Sequence, residues 1–272
     1  MPTQSDLARL FLDGHQPGQP LLMPNAWDVG SAVLLAAMGF GAVATTSGGF
    51  AVSRGRRDGQ MSRDEVLAHC AELCHAVDIP VSADLENCFA EEPPGVAATV
   101  AAAVETGLAG GSVEDYTGDP DAPIFDLGLA TERVAAAAEA AHRGDVPFVL
   151  TARAENFIRG NPDLGDTIAR LQAYQDAGAD VLFAPRVVEP SQLAALIREV
   201  DRPVSVLVTP GSPGLETLAQ LGVSRISVGG ALTMVAYGAA VRALETLRQG
   251  DVAAYLDAVA SNSAHVRGAL SR

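Results

Sequence analysis

The chain has 272 residues, 48% of them hydrophobic and 19% charged, with 33 Asp and Glu against 18 Lys and Arg. This is the composition of a compact globular chain rather than a disordered one. The net charge of −15 argues against nucleic acid or an anionic membrane surface as the main partner; an anionic substrate would need a metal or a local positive patch to enter. Cys70, Cys74 and Cys88 show no CxxC spacing and read as reduced structural thiols of a cytoplasmic protein. The opening MPTQSDLARLFLDG lacks the basic and apolar regions of a signal peptide, and no apolar run approaches the roughly 20 residues of a membrane span.

Short β-like runs alternate with longer Ala- and Leu-rich helical patterns. In chain order, strand 21–26 precedes helix 29–39, and strand 42–47 precedes a polar, Gly-rich loop at 47–62 and helix 62–77. Strand 80–86 leads to helix 95–107, and strand 110–116 to helix 131–143. Strands 147–153, 180–185, 204–209 and 225–229 follow, with helices 163–177, 190–200, 214–221 and 231–248. Gly39, Gly107, Gly178 and Gly222 stand where C′ residues end helices; Pro80, Pro147 and Pro203 introduce strands.

Eight strand–helix units without a composition break predict one α/β domain over 1–272. Its core is a TIM-type (β/α)8 barrel at about 21–248, with a C-terminal helical extension at 251–272. A doubly wound open sheet is the competing architecture, but no Gly-x-Gly-x-x-Gly or Walker loop follows the first strand.

Chemistry in such a barrel collects at the C-terminal strand ends. VSADLENCFAEEPP, residues 81–94, opens as a buried strand and then carries Asp84 and Glu86, which period two puts on one face with Ser82. Glu114 and Asp115 end the next strand, Arg153 and Glu155 the one after. Carboxylates so close repel unless a cation sits among them, and oxygen donors without His or Cys suit Mg²⁺ or Mn²⁺. The competing reading is that these carboxylates cap helices or lie in solvent. Ser47, Gly48 and Gly49 present backbone N–H groups suited to a substrate carboxylate, and Gly55 to Gly59 read as a lid carrying Asp58, or as a plain exposed loop. Thr209 ends strand seven. His15, His69, His75, His142 and His265 fall away from the strand ends, which disfavours a His base or a hydrolase triad.

The stretches NAWDVGSA, ATTSGGFAVSRGRRDG, SADLENCF, GSVEDYTGDP, LTARAENFIRG, QDAGADVLFAP, VLVTPGSPG and ISVGGALTM resemble the isocitrate lyase/phosphoenolpyruvate mutase superfamily. The likeness runs from about Asn25 to Leu247. It implies a homo-oligomer, a tetramer or dimer, with the last barrel helix exchanged between subunits. It also implies Mg²⁺ and a small-molecule carboxylate substrate, a 2-oxo or 2-hydroxy acid or an enol phosphate. By the same resemblance Asp84 matches a direct metal ligand, and Glu86 and Glu114 its water-linked partners. Ser47 and Gly48 match a carboxylate-holding turn, Trp27 lies near the entry segment, Asp58 matches an acid on the gating loop, and Arg153 matches the clamp for a substrate oxyanion or carboxylate.

Two departures stand out. The lyase loop Lys-(Lys/Arg)-Cys-Gly-His and the mutase run after Glu-Asp are both replaced by EDYTGDPDAPIFDLG, residues 114–128. The leading expectation is a Mg²⁺-dependent lyase making or breaking a C–C bond through an enolate-type intermediate, with Tyr116, Glu155 or Asp58 moving the proton. Phosphonomutase-like P–C chemistry and a 2-oxo acid-binding protein without turnover are the alternatives.

Overall fold

Side-chain caps fix several helix starts in the computed structural model, which describes residues 2–271 except the side chain of His265. Thr3, Asp28 and Ser62 each accept a hydrogen bond from the third residue of the helix they open, and the residue at that position bonds back to the cap backbone. They begin α1 (Gln4–Asp13), α2 (Val29–Ala37) and α4 (Arg63–Ala76). Between them run β1 (Leu21–Leu22), β2 (Val43–Ala44) and α3 (Ser47–Ser53). The chain continues through β3 (Val81–Asp84), α5 (Pro93–Val104), β4 (Gly110–Glu114), α6 (Leu127–His142), β5 (Val149–Arg153) and α7 (Leu164–Asp176). Then come β6 (Val181–Phe183), α8 (Pro190–Arg198), β7 (Val204–Leu207), α9 (Leu215–Gln220), β8 (Arg225–Ser227), α10 (Ala231–Arg248) and α11 (Val252–Leu270).

All eight strands are parallel and form one curled sheet in the order β1-β8-β7-β6-β5-β4-β3-β2. Its two edges meet: Asn25 bridges Ala44, with the Ala26 amide donating to the Ala44 carbonyl at 2.7 Å and the Ala44 amide to the Pro24 carbonyl at 3.0 Å. This is the architecture of a TIM-type barrel. Strand burial is nearly continuous, as expected for parallel strands covered by helices outside and side chains inside. Register links Glu114, Arg153, Phe183, Ser205 and Arg225 into one row around the inner wall. Helix α1 closes the floor: Phe11 is buried with Ala8, Met23, Val149 and Val181, and a Cβ on Gly110 would come within 2.9 Å of the Phe11 ring. No helix among the described residues is long and apolar enough to cross a membrane.

The differences from the sequence reading are two further helices and one early strand end. The sequence pattern marks no element over residues 4–13 and a loop at 47–62, whereas α1 occupies the first and α3 opens the second. The missed signal is helical spacing of Phe50 with buried neighbours; Phe50 stacks on His69 at 3.9 Å. Strand 80–86 stops at Asp84 because Glu86, Cys88 and Phe89 all turn through left-handed backbone, with φ of 52°, 59° and 55°. Glu86 therefore reaches the barrel mouth by a tight turn rather than by strand alternation. The four glycines read as helix ends do carry positive φ, from 90° at Gly39 to 104° at Gly178.

Candidate active site

Strands β3, β4 and β5 bring their last inward residues together. Arg153 lies beside Glu114 in register and donates from Nη1 to Asp84 Oδ1 at 2.8 Å. Its Nε and Nη2 reach Glu155 Oε1 at 3.1 and 2.9 Å, and Nη2 lies 3.0 Å from Glu114 Oε2. Every guanidinium nitrogen thus faces a carboxylate. Burial alone would lower the Arg153 pKa, but Glu155, Glu114 and Asp84 outweigh it and hold it well above the ordinary value.

The acids are less comfortable. Burial, with the nearby charge of Glu155 and Asp84, pushes the Glu114 carboxyl well above the usual range despite Arg153. Glu86 is pushed up to about 7, first by burial and then by the charges of Asp84 and Asp58. Its Oε1 is buried without a hydrogen-bond partner. Asp84 Oδ2 accepts from the Ser47 amide at 3.1 Å, so the start of α3 and the end of β3 are tied together.

A second guanidinium, Arg159, completes the cluster. It sits one helical turn after Glu155, its amide donating to the Glu155 carbonyl at 3.0 Å. Its Nη2 lies 3.2 Å from Glu155 Oε2 and 3.6 Å from Glu114 Oε1, and its plane rests 3.4 Å from the centre of the Tyr116 ring. Its side chain is 30% exposed against 13% for Arg153, so it is the more accessible of the two arginines. Both arginines border a cavity of about 410 Å³, walled also by Ser47, Asp58, Glu86 and Tyr116.

Comparison with known proteins places this geometry. The family pattern described as phosphoenolpyruvate phosphomutase matches residues 11–248. The chain belongs to the phosphoenolpyruvate mutase family. A crystal structure of a Burkholderia cenocepacia protein described as a lyase/mutase superposes with a TM-score of 0.90 at 47% identity, covering 93% of this chain and 92% of that one. An uncharacterized protein of Mycobacterium tuberculosis is 35% identical over 243 residues, 89% of this chain and 90% of its own. The 2-methylisocitrate lyase of Salmonella typhimurium is 28% identical over 234 residues, 79% of this chain and 78% of its own.

In this family member, Asp84, Glu86, Glu114, Arg153 and Glu155 converge at the mouth, and Ser47, Asp58 and Tyr116 line the cavity beside them. Gly48 faces Asp58: a Cβ there would lie 3.4 Å from the carboxyl carbon. Three predicted residues do not line this cavity. Gly49 is packed behind, where a Cβ would strike Thr233 Oγ1 and Thr46 Cγ2 at 2.5 Å. Trp27 borders an apolar cavity with Leu34, Met38 and Val235, and Thr209 closes a turn whose amide donates to Ser212 Oγ at 2.9 Å. The sequence reading gave no role to Arg159, although its spacing of four from Glu155 on a turn was available as a signal.

Asp115, read only as a strand-end acid, is a buried anchor. Its Oδ1 accepts from the Glu155 amide at 2.8 Å; its Oδ2 accepts from Tyr174 Oη at 2.6 Å and Arg170 Nη1 at 3.1 Å. Arg170 Nη1 also donates to the Phe125 carbonyl at 2.9 Å. Helix α7 thereby sets the start of the β5 loop that carries Glu155 and Arg159.

Four carboxyl groups, Asp84, Glu86, Glu114 and Glu155, are gathered around two guanidiniums, Arg153 and Arg159, and burial together with that crowding raises the Glu86 and Glu114 pKa values. A divalent hard cation fits that donor set, and the unpartnered Glu86 oxygen is the atom that most requires it. Among the described residues, no three His, Cys, Asp or Glu side chains converge closely enough to cage an ion unaided. An ion held here would keep several waters, as Mg²⁺ generally does.

Proposed function

We propose that the chain is a Mg²⁺-dependent lyase, Mn²⁺ also fitting, that makes or breaks a C–C bond in a small 2-oxo or 2-hydroxy carboxylate. The observation that carries this reading is four carboxyl groups gathered around two guanidiniums, with one Glu86 oxygen buried and unpartnered, beside a cavity sized for a small acid. Asp84 would hold the ion directly, Glu86 and Glu114 through water. When bound, the ion supplies a Lewis acid for charge developing on the substrate's 2-oxygen.

The chain's own residues do the rest. Arg153, engaged by three carboxylates, holds the acids at their spacing and acts as their positioning residue. Arg159, stiffened by Tyr116, presents its fork to a substrate carboxylate. Ser47 and Gly48 bound the opposite wall. Glu155 is fully buried and paired with both arginines, which leaves Asp58 and Tyr116 as the proton-transfer groups at the cavity wall. Asp58 sits in the exposed stretch 54–60, suited to covering the substrate after entry.

P–C bond chemistry is the second reading, supported by the phosphomutase description of the matching family pattern. A mass-spectrometric screen of 2-oxo and 2-hydroxy acids with Mg²⁺, and with EDTA, tests the first. Parallel incubations with phosphoenolpyruvate and phosphonopyruvate, read as phosphate or phosphonate, test the second. Metal-dependent binding without product in any arm would favour a carboxylate-binding protein instead.

The proposed enzyme is cytoplasmic and a homo-oligomer, a tetramer or dimer, that exchanges α10 between subunits. Support comes from α10 and α11, where Met234, Val235, Val241, Leu244 and Leu256 are each more than half exposed. Light scattering that finds a monomer would contradict this.

A further inference from the structure

Arg225 opens β8 and points into the barrel, 4% exposed. Its Nε donates to Ser205 Oγ at 2.9 Å; its Nη1 donates to Thr151 Oγ1 at 3.1 Å and to His15 Nε2 at 3.2 Å. His15 bonds the Phe11 carbonyl through Nδ1 at 2.7 Å, so the ring proton sits there and Nε2 accepts from Arg225. Burial, with the Arg225 charge, pushes the His15 pKa down to about 3, leaving the ring neutral. Every side chain bonded to this buried cation is therefore neutral, and among the described residues no carboxylate pairs with it. Burial and the charge of Arg153 lower the guanidinium to about 9, still charged at neutral pH.

Buried charges in proteins are normally paired. Arg225 borders an interior cavity of about 90 Å³, with Asn25, Thr45, Ser82, Ser112 and Ser227 on its walls and Arg153 shared with the mouth above. Asp84 also borders it, but Oδ1 is bonded to Arg153 and Oδ2 to the Ser47 amide. The space is too small for the acids the mouth accommodates, yet roomy enough for a few water molecules or one small ion.

We propose that the barrel interior binds a small monovalent inorganic anion of the halide class, held by Arg225 and the surrounding hydroxyls. Its cavity shares Asp84 and Arg153 with the carboxylate cluster above, but the ion is held by Arg225 and does not depend on which reaction the mouth performs.

Two experiments on the full chain test it. The first is thermal unfolding in sodium gluconate progressively replaced by chloride at constant ionic strength. A saturable rise in Tm of about 2–4 °C is expected, absent in Arg225→Met. No saturable rise in the unaltered protein, or an equal rise in the variant, overturns the proposal. The second needs no variant: bromide-soaked crystals should show an anomalous peak within hydrogen-bonding distance of the Arg225 guanidinium. A cavity holding only water overturns the proposal, as does a bromide peak without the chloride-dependent Tm, which would mark an adventitious ion only.

Discussion

Arg153 and Arg225 lie on one row of the inner wall, linked residue to residue through β6 and β7, yet they live in opposite electrostatic worlds. Three carboxylates surround Arg153 and hold it firmly protonated; Arg225 has hydroxyls and a neutral imidazole, and its pKa is pushed down to about 9. A barrel can thus place the same side chain as the hub of an acidic cluster at its mouth and as an uncompensated cation in its interior. The difference lies in what the neighbouring strands end with. Strands β3, β4 and the segment after β5 supply Asp84, Glu114 and Glu155, while Ser205 and Thr151 stand beside Arg225. Carboxyl groups outnumber guanidiniums at the mouth, while the interior holds a guanidinium with no carboxylate partner.

Substitutions can break or sharpen this contrast. The largest effect belongs to Asp84→Ala, which should reduce metal-dependent turnover by about a thousandfold while the far-UV circular dichroism stays that of the folded barrel. Next is a paired comparison by urea unfolding. Arg153→Met removes the guanidinium shared by Asp84, Glu114 and Glu155 and should cost about 3–5 kcal/mol, whereas Arg225→Met removes a cation without a carboxylate partner and should change stability by about 1 kcal/mol or less. Equal losses in the two variants would erase the distinction. Arg159→Ala should raise KM for the carboxylate substrate about tenfold with a smaller change in kcat, since it removes a binding fork and not the metal site.

The smallest effect lies outside the barrel, at a conventional exposed pair. His142 Nε2 meets Asp180 Oδ2 at 2.9 Å, and that hydrogen bond raises the histidine pKa above its ordinary 6.5. Its stabilisation is present in full below pH 6.5 and fades as pH rises through the raised value. His142→Ala should accordingly lower Tm slightly at pH 5.5 and leave it unchanged at pH 8.5.

Much of the scaffold was readable from periodicity because eight strand–helix units repeat with Gly and Pro at their junctions. The ends were not, because a strand's last residues look alike whether pairing continues or a left-handed turn intervenes, as at Glu86. The acids and Arg153 were legible as strand-end charges. Arg159 was overlooked because it lies six residues past Arg153, on a turn that strand reasoning does not follow. Trp27 is suggested by resemblance and Thr209 by its place at a strand end, and neither lines the cavity at the mouth. Arg225 begins a strand instead of ending one, so attention to strand ends passed over it.

The cluster of carboxyl groups at the mouth should be a divalent-cation site. Calorimetric titration of the purified protein with Mg²⁺ in the presence of oxalate tests it most directly. Saturable binding of a single ion per chain is expected, abolished in Asp84→Ala. Absence of binding in the unaltered protein, or binding of equal strength in the variant, would contradict it.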